Sequence, residues 1–160
     1  LIKYALDLLS DEFHPVSIVA KEVDEYTWFG YPVVPDIVEE QSPLIGVLSG
    51  MVNSNTEWTY FQACDMPFMT SGILRLLIDR LESVHENTEL QAVLPLTDFG
   101  LQPLAGFYRK NTIDTLREAI HRKESVLDWV DGLNIKTMNF GSAMSFQNVN
   151  EVEDLNVVPA

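Results

Sequence analysis

Phe61-Gln62-Ala63-Cys64-Asp65-Met66-Pro67-Phe68 is the point at which an apolar run ends in an acid and then turns. The residues leading into it, Trp58-Thr59-Tyr60-Phe61, are aromatic and β-branched, the composition of a buried strand. Pro67 stops that strand. Thr70 or Ser71 can then cap a helix whose apolar residues, Ile73, Leu74, Leu76, Leu77, Ile78 and Leu81, recur at helical spacing. Asp65 therefore stands at a strand-to-helix junction, and in open α/β sheets ligands bind outside the carboxyl ends of strands. Two readings are open for it. A carboxylate there is a hard oxygen donor suited to Mg²⁺ and, through it, to phosphates; alternatively it caps the next helix or turn.

Working outward, the pattern predicts a helix over 2–10, a strand over 16–20 and a short strand at Val33-Val34 that ends in Asp36. A helix over 44–52 comes next, then the strand over 58–63 and the helix over 71–81. Strands over 91–96 and 102–108 are joined by Thr97-Asp98-Phe99-Gly100, a link tight enough to make them antiparallel. Helices over 112–121 and 125–130, a strand over 135–139 and a last helix from Glu151, with Asn150 as its N-cap, complete the chain. Alternation of this kind gives an α/β fold: a mostly parallel sheet with an antiparallel strand and helices on both faces. Gly46 and Gly50 lie four apart on one helix face, where small residues allow close approach of either a strand or a ligand. Trp28, Trp58 and Trp129 are expected in the core, and Cys64 is expected to pack at the end of its strand.

With 160 residues, 46% of them hydrophobic, the chain can bury one core, so residues 1–160 are read as a single domain. No apolar run is long enough to span a bilayer, which makes a soluble cytoplasmic protein the expectation. The lone cysteine excludes an internal disulfide, and His14, His85 and His121 fall in different elements, a spacing that indicates no histidine metal site. A formal net charge of −14 argues against a nucleic-acid partner, since a phosphate backbone needs a basic footprint. A hydrolase triad has no support, because no Gly-x-Ser-x-Gly elbow is present.

Four segments occur in a specific order: Val33-Val34-Pro35-Asp36 with Ser42-Pro43-Leu44-Ile45-Gly46; Cys64-Asp65-Met66-Pro67; Gln102-Pro103-Leu104-Ala105-Gly106-Phe107-Tyr108-Arg109; and Phe146-Gln147-Asn148-Val149-Asn150-Glu151-Val152-Glu153-Asp154-Leu155. Together they resemble the molybdenum cofactor guanylyltransferases, and the match spans nearly the whole chain. The resemblance implies a three-layer, Rossmann-like nucleotidyltransferase fold of the GT-A-like kind. It implies Mg²⁺-dependent transfer of GMP from GTP to molybdopterin, with release of pyrophosphate. By resemblance Asp65 would be catalytic and hold the metal, and Asp36 would contact the nucleotide through guanine or through ribose. Pro43, Leu44, Gly46, Gln102, Asn148 and Asn150 would complete the binding residues. Arg109 is either a partner for the acceptor's phosphate or an exposed surface arginine. GTP, molybdopterin and other proteins of molybdenum cofactor biosynthesis are the implied partners.

The departures are equally specific. Members of that family open with a glycine-rich phosphate loop, whereas this sequence opens at Leu1-Ile2-Lys3-Tyr4-Ala5-Leu6, which resembles the helix after that loop. The expectation is an amino-terminal truncation that lacks the first strand and the loop. Ser42 stands where the family has Gly, and Lys21 ends a strand where some members carry Asn. Two alternatives stay open. One is a related nucleotidyltransferase with another phosphorylated acceptor, such as a sugar, an isoprenoid precursor or phospholactate. The other is a non-catalytic remnant that serves as a binding module.

Overall fold

A computed structural model describes residues 1–149. Its elements follow the chain as helix α1 (Ile2–Glu12), strands β1 (Ile18–Ala20) and β2 (Val33–Pro35), helix α2 (Pro43–Asn53), strand β3 (Trp58–Gln62) and helix α3 (Ser71–Val84). Strands β4 (Ala92–Thr97), β5 (Gly100–Leu101) and β6 (Ala105–Arg109) come next, then helices α4 (Ile113–His121) and α5 (Val126–Asp131) and strand β7 (Ile135–Gly141). The helix expected from Glu151 lies outside the described residues.

The main sheet is built around β4, whose residues are nearly all buried and alternate between two cores. Ala92 and Leu94 face α2, α4 and α5, packing with Leu44, Leu48, Met51, Tyr108, Leu116 and Trp129. Val93 faces the other way, onto Leu77, Leu90 and Phe107 under α3. A strand buried on both faces reads as continuous apolar sequence, which is what Ala92-Val93-Leu94-Pro95-Leu96 is. The layers are thus helix, sheet, helix.

Strands β3, β4 and β7 run in one direction. β4 and β7 pair in parallel, while β6 is wedged antiparallel between β3 and β4, and β5 pairs antiparallel with the end of β4. The expected strand over 102–108 begins only at Ala105, and the expected turn contributes the short β5 instead. Residues 102–104 leave the sheet in a turn, where the Tyr108 hydroxyl donates to the Pro103 carbonyl at 2.6 Å. Gly100 supplies the left-handed turn residue at φ +110°. Gly106 is required by contact, since a Cβ there would sit 2.5 Å from Leu94 Cδ2 and 2.9 Å from the Val93 carbonyl oxygen.

β1 and β2 form a separate two-stranded parallel sheet, with Ile18 opposite Val33 and Ala20 opposite Pro35. Their side chains are mostly half-buried, in contrast to β4. Among the described residues, β1 pairs with no strand but β2.

Two expectations about aromatic and sulfur side chains are corrected. Trp28 is 74% exposed rather than in the core, because it sits on a short 3₁₀ turn with its ring stacked on Phe29 and its indole N–H donated to the Glu25 carbonyl. Cys64 is exposed rather than packed, because the strand ends at Gln62 and the chain has begun to turn.

Candidate functional site

A cleft of about 1140 Å³ opens between β1 and β3. One wall is α1, through Leu6, Leu9 and Phe13, and the other is α2, through Pro43, Gly46, Val47 and Gly50. Asp36 and Cys64 line it as well, each standing just past the carboxyl end of a strand, on β2 and β3 respectively. Lys21 closes the rim beyond β1.

Asp36 is positioned from two sides. Its backbone N–H continues the β1–β2 pairing by donating to the Ala20 carbonyl at 3.3 Å. The next residue, Ile37, donates its N–H to Ser49 Oγ at 3.0 Å, and Ser49 in turn donates to the Ile45 carbonyl on α2 at 2.8 Å. Ser49 is fully buried, so this short relay fixes the loop after Asp36 to the helix. Asp36 Oδ1 is buried and has no hydrogen-bond partner. A carboxylate oxygen left in that condition costs free energy unless a ligand donates to it.

Helix α2 begins at a defined cap. Ser42 Oγ accepts the Leu44 N–H at 3.2 Å, and Pro43 occupies the first turn, where its missing N–H costs nothing. Leu44 itself points away from the cleft into the core, with no exposed surface. The two glycines of α2 differ. A Cβ on Gly50 would meet the Phe61 ring at 2.6 Å and Val19 Cγ2 at 3.4 Å, whereas one on Gly46 would meet nothing within 4 Å. Gly50 is thus a packing glycine, and Gly46 faces open space in the cleft.

Asp65 caps no helix. Thr70 caps α3, its Oγ1 accepting the Ile73 N–H at 3.4 Å, and Asp65 Oδ1 is buried without a hydrogen-bond partner. The capping alternative is thereby removed. The Asp65 carbonyl accepts the Val149 N–H at 2.8 Å, which ties the segment carrying Asn148 to the turn after β3 although the two are far apart in sequence. Although Cys64 is exposed as a residue, its thiol is partly desolvated in the cleft wall and is pushed above its usual range, first by that desolvation and then by the Asp65 carboxylate, so it is a protonated neighbour. Among the described residues no three His, Cys, Asp or Glu side chains converge as a metal cage. Mg²⁺ does not require one, since it is usually held by one or two carboxylates with phosphates and waters completing its octahedron. The orphaned oxygen of Asp65 fits that role.

Asp65 and Asn148 are not among the residues lining the cleft, and other expected residues lie elsewhere again. Gln102 is not in the cleft: its Nε2 donates to Thr97 Oγ1 at 3.2 Å and to the Gly100 carbonyl at 3.4 Å, bracing the β4–β5 hairpin. Arg109 is neither exposed nor available to a phosphate. It is 9% exposed, pairs with Glu57, donates to the Asn87 carbonyl at 2.9 Å and lies 5.4 Å from the Trp58 ring centre. Asn150 lies outside the described residues. Gln62 is a cleft residue the sequence reading passed over. The Tyr60 hydroxyl donates to its Oε1 at 3.2 Å, its Nε2 is buried and unpaired, and the available signal was a lone amide in an aromatic strand.

The MobA-like NTP transferase domain family matches residues 1–134. The chain belongs to that family. A probable molybdenum cofactor guanylyltransferase of Nostoc sp. is 34% identical over 119 residues, which are 74% of this chain and 56% of that protein. One from Trichormus variabilis is 30% identical over 99% of this chain and 77% of its own. Among solved structures, the Aquifex aeolicus protein Aq1419 superposes with a TM-score of 0.80 at 19% identity, over 94% of this chain and 79% of that one. Molybdopterin-guanine dinucleotide biosynthesis protein A from Archaeoglobus fulgidus gives a TM-score of 0.71 at 18% identity, over 94% and 81%. The fold is accordingly that of the MobA-like nucleotidyltransferases. The first of these curated relatives extends well beyond the matched region.

Proposed function

We propose that this protein transfers the GMP unit of GTP to molybdopterin in a Mg²⁺-dependent reaction of cytoplasmic molybdenum cofactor biosynthesis. The observation that carries this reading is Asp65: a carboxylate just past the carboxyl end of β3, with a buried unpaired oxygen, tied to the segment bearing Asn148. In the transfer an oxygen of the acceptor's phosphate forms a bond to the α-phosphorus of GTP. The bond from that phosphorus to the bridging oxygen breaks, and pyrophosphate leaves with the electron pair. Such a reaction asks the protein for positioning and charge neutralisation rather than for a covalent group.

Asp65 is the residue that would hold Mg²⁺, which when bound neutralises triphosphate charge and orients it. Asp36 is suited to the guanosine end, because a carboxylate accepts hydrogen bonds from the guanine N1–H and amino group or from ribose hydroxyls. Gly46, with open space where a side chain would be, lets the ligand approach the α2 backbone beside Pro43. Asn148, carried next to Asp65, can donate its amide to a phosphate oxygen. Asn150 belongs to the same motif.

The test uses the complete gene product with GTP, Mg²⁺ and molybdopterin. Asp65→Asn keeps the side-chain shape, so it should lower turnover roughly a hundredfold or more while leaving the melting temperature near that of the parent. Near-normal turnover in that variant would remove Asp65 from the role. Asp36→Asn should raise KM for GTP more than it lowers kcat. A nucleotide panel decides the base: faster turnover with CTP, UTP or TTP than with GTP would overturn the guanylyl reading in favour of a sister nucleotidyltransferase.

A further inference from the structure

The loop that follows Asp36 is tethered at one point. Residues 37–41 belong to no helix or strand, and all five are exposed. Among the described residues they make a single hydrogen bond, from the Ile37 N–H to Ser49 Oγ at 3.0 Å. On its other side Asp36 is fixed by its own N–H, given to the Ala20 carbonyl at 3.3 Å. The setting of the Asp36 carboxyl therefore depends on two backbone tethers, one to β1 and one to α2.

Helix α2 gains nothing of its own from Ser49. The hydroxyl is fully buried and donates to the Ile45 carbonyl at 2.8 Å, a group that an α-helix already pairs with the N–H four residues on. Alanine is the better helix former, and back-bonding of this kind slightly weakens a helix. The donation does serve the loop, because it commits the hydroxyl's one proton to α2 and leaves a lone pair for the Ile37 N–H. Ser49 and Gly46 are three apart, neighbours on the helix surface, so the tether also sets the spacing between Asp36 and Gly46, both of which line the cleft.

We propose that Ser49 is a positioning residue for nucleotide binding: through the Ile37 N–H it holds the Asp36 carboxyl in a fixed place relative to the α2 backbone at Gly46. The proposal rests on the reading of Asp36 as the guanosine contact. Ser49 touches no ligand itself; its contribution is preorganisation. Without the hydroxyl the loop loses its tether, and a nucleotide must order it on binding, which lowers affinity without altering the chemistry at phosphorus.

The experiment compares the complete gene product with its Ser49→Ala, Asp36→Asn and doubly substituted variants. In Ser49→Ala, amide exchange at Ile37 without nucleotide should become roughly tenfold faster. The melting temperature should stay within about 3 °C of the parent, since the gain in helix propensity offsets the lost hydrogen bond. KM for GTP should rise roughly five- to tenfold while kcat stays within about twofold. On top of Asp36→Asn the same substitution should add less than about twofold, because holding the loop matters little once the carboxylate is gone. A hydroxyl with a merely structural role would move the melting temperature and leave this split alone. Unchanged exchange at Ile37, a fall in kcat as large as the rise in KM, or full additivity in the double variant would each overturn the proposal. So would a parental KM in Ser49→Ala beside a raised KM in Asp36→Asn, which leaves the guanosine reading standing. A parental KM in Asp36→Asn removes that reading first and the proposal with it.

Discussion

The two halves of the molecule answer the same steric question differently. Around β4 and β6 the structure is closed: Gly106 lies against the Val93 backbone, and Arg109 is enclosed by Glu57, two backbone carbonyls and the Trp58 ring. Around β1 and β3 it is open, and Gly50 sits as near to Phe61 as Gly106 does to Leu94, but with a cleft beside the ring. Tightness measured at a single contact is therefore a poor guide to cost. What matters is whether the neighbour has somewhere to go.

Three alanine substitutions should break or sharpen that contrast. Gly106→Ala drives a methyl into backbone that cannot yield and should destabilise the protein by about 2–3 kcal/mol, read as a fall in the urea midpoint. Gly50→Ala creates a similar overlap with the end of the Phe61 ring. The ring can swing toward the cleft and the helix gains about 1 kcal/mol of propensity, so the net loss should be no more than about 1 kcal/mol. If the two substitutions cost the same, the open half is as rigid as the closed one. Gly46→Ala meets nothing and should stabilise by about 0.5–1 kcal/mol, while weakening GTP binding if the nucleotide approaches α2 there.

A smaller effect tests the electrostatics at the open end. The Cys64 thiol is raised by burial and by Asp65, so its alkylation by iodoacetamide should be slow at neutral pH. Its rate should climb with a midpoint above that of an unperturbed thiol, about 8.5. Asp65→Asn removes the second cause and should move that midpoint down. An unchanged profile would mean that burial alone sets the thiol.

The elements with a strong local pattern were legible in the sequence. β3, β4, α2 and α3 carry their own apolar periodicity and their own punctuation, Ser42-Pro43 and Thr70 among it. The strand-end positions of Asp36 and Asp65 follow from the same patterns. What escaped was set by partners remote in sequence. Arg109 looks like a surface arginine until β3 brings Glu57 and the loop before β4 brings the Asn87 carbonyl. Gln102 could not be assigned to the hairpin without knowing that residues 102–104 leave the sheet. The division into two sheets is a property of pairing, which no single strand encodes. Asn148 and Asp65, by contrast, were joined only through resemblance, and a backbone hydrogen bond now brings their segments together.

The insertion of β6 between β3 and β4 sets a schedule for synthesis. β3 leaves the ribosome before β6, the strand it pairs with among the described residues, and Ala105–Arg109 are made about forty residues later. At 5–20 residues per second that is roughly 2–9 s during which the edge of an aromatic strand waits for β6. Trp58, Tyr60 and Phe61 are thus the apolar side chains whose exposure during synthesis depends on the time taken to reach β6, and slow codons between β3 and β6 would lengthen it.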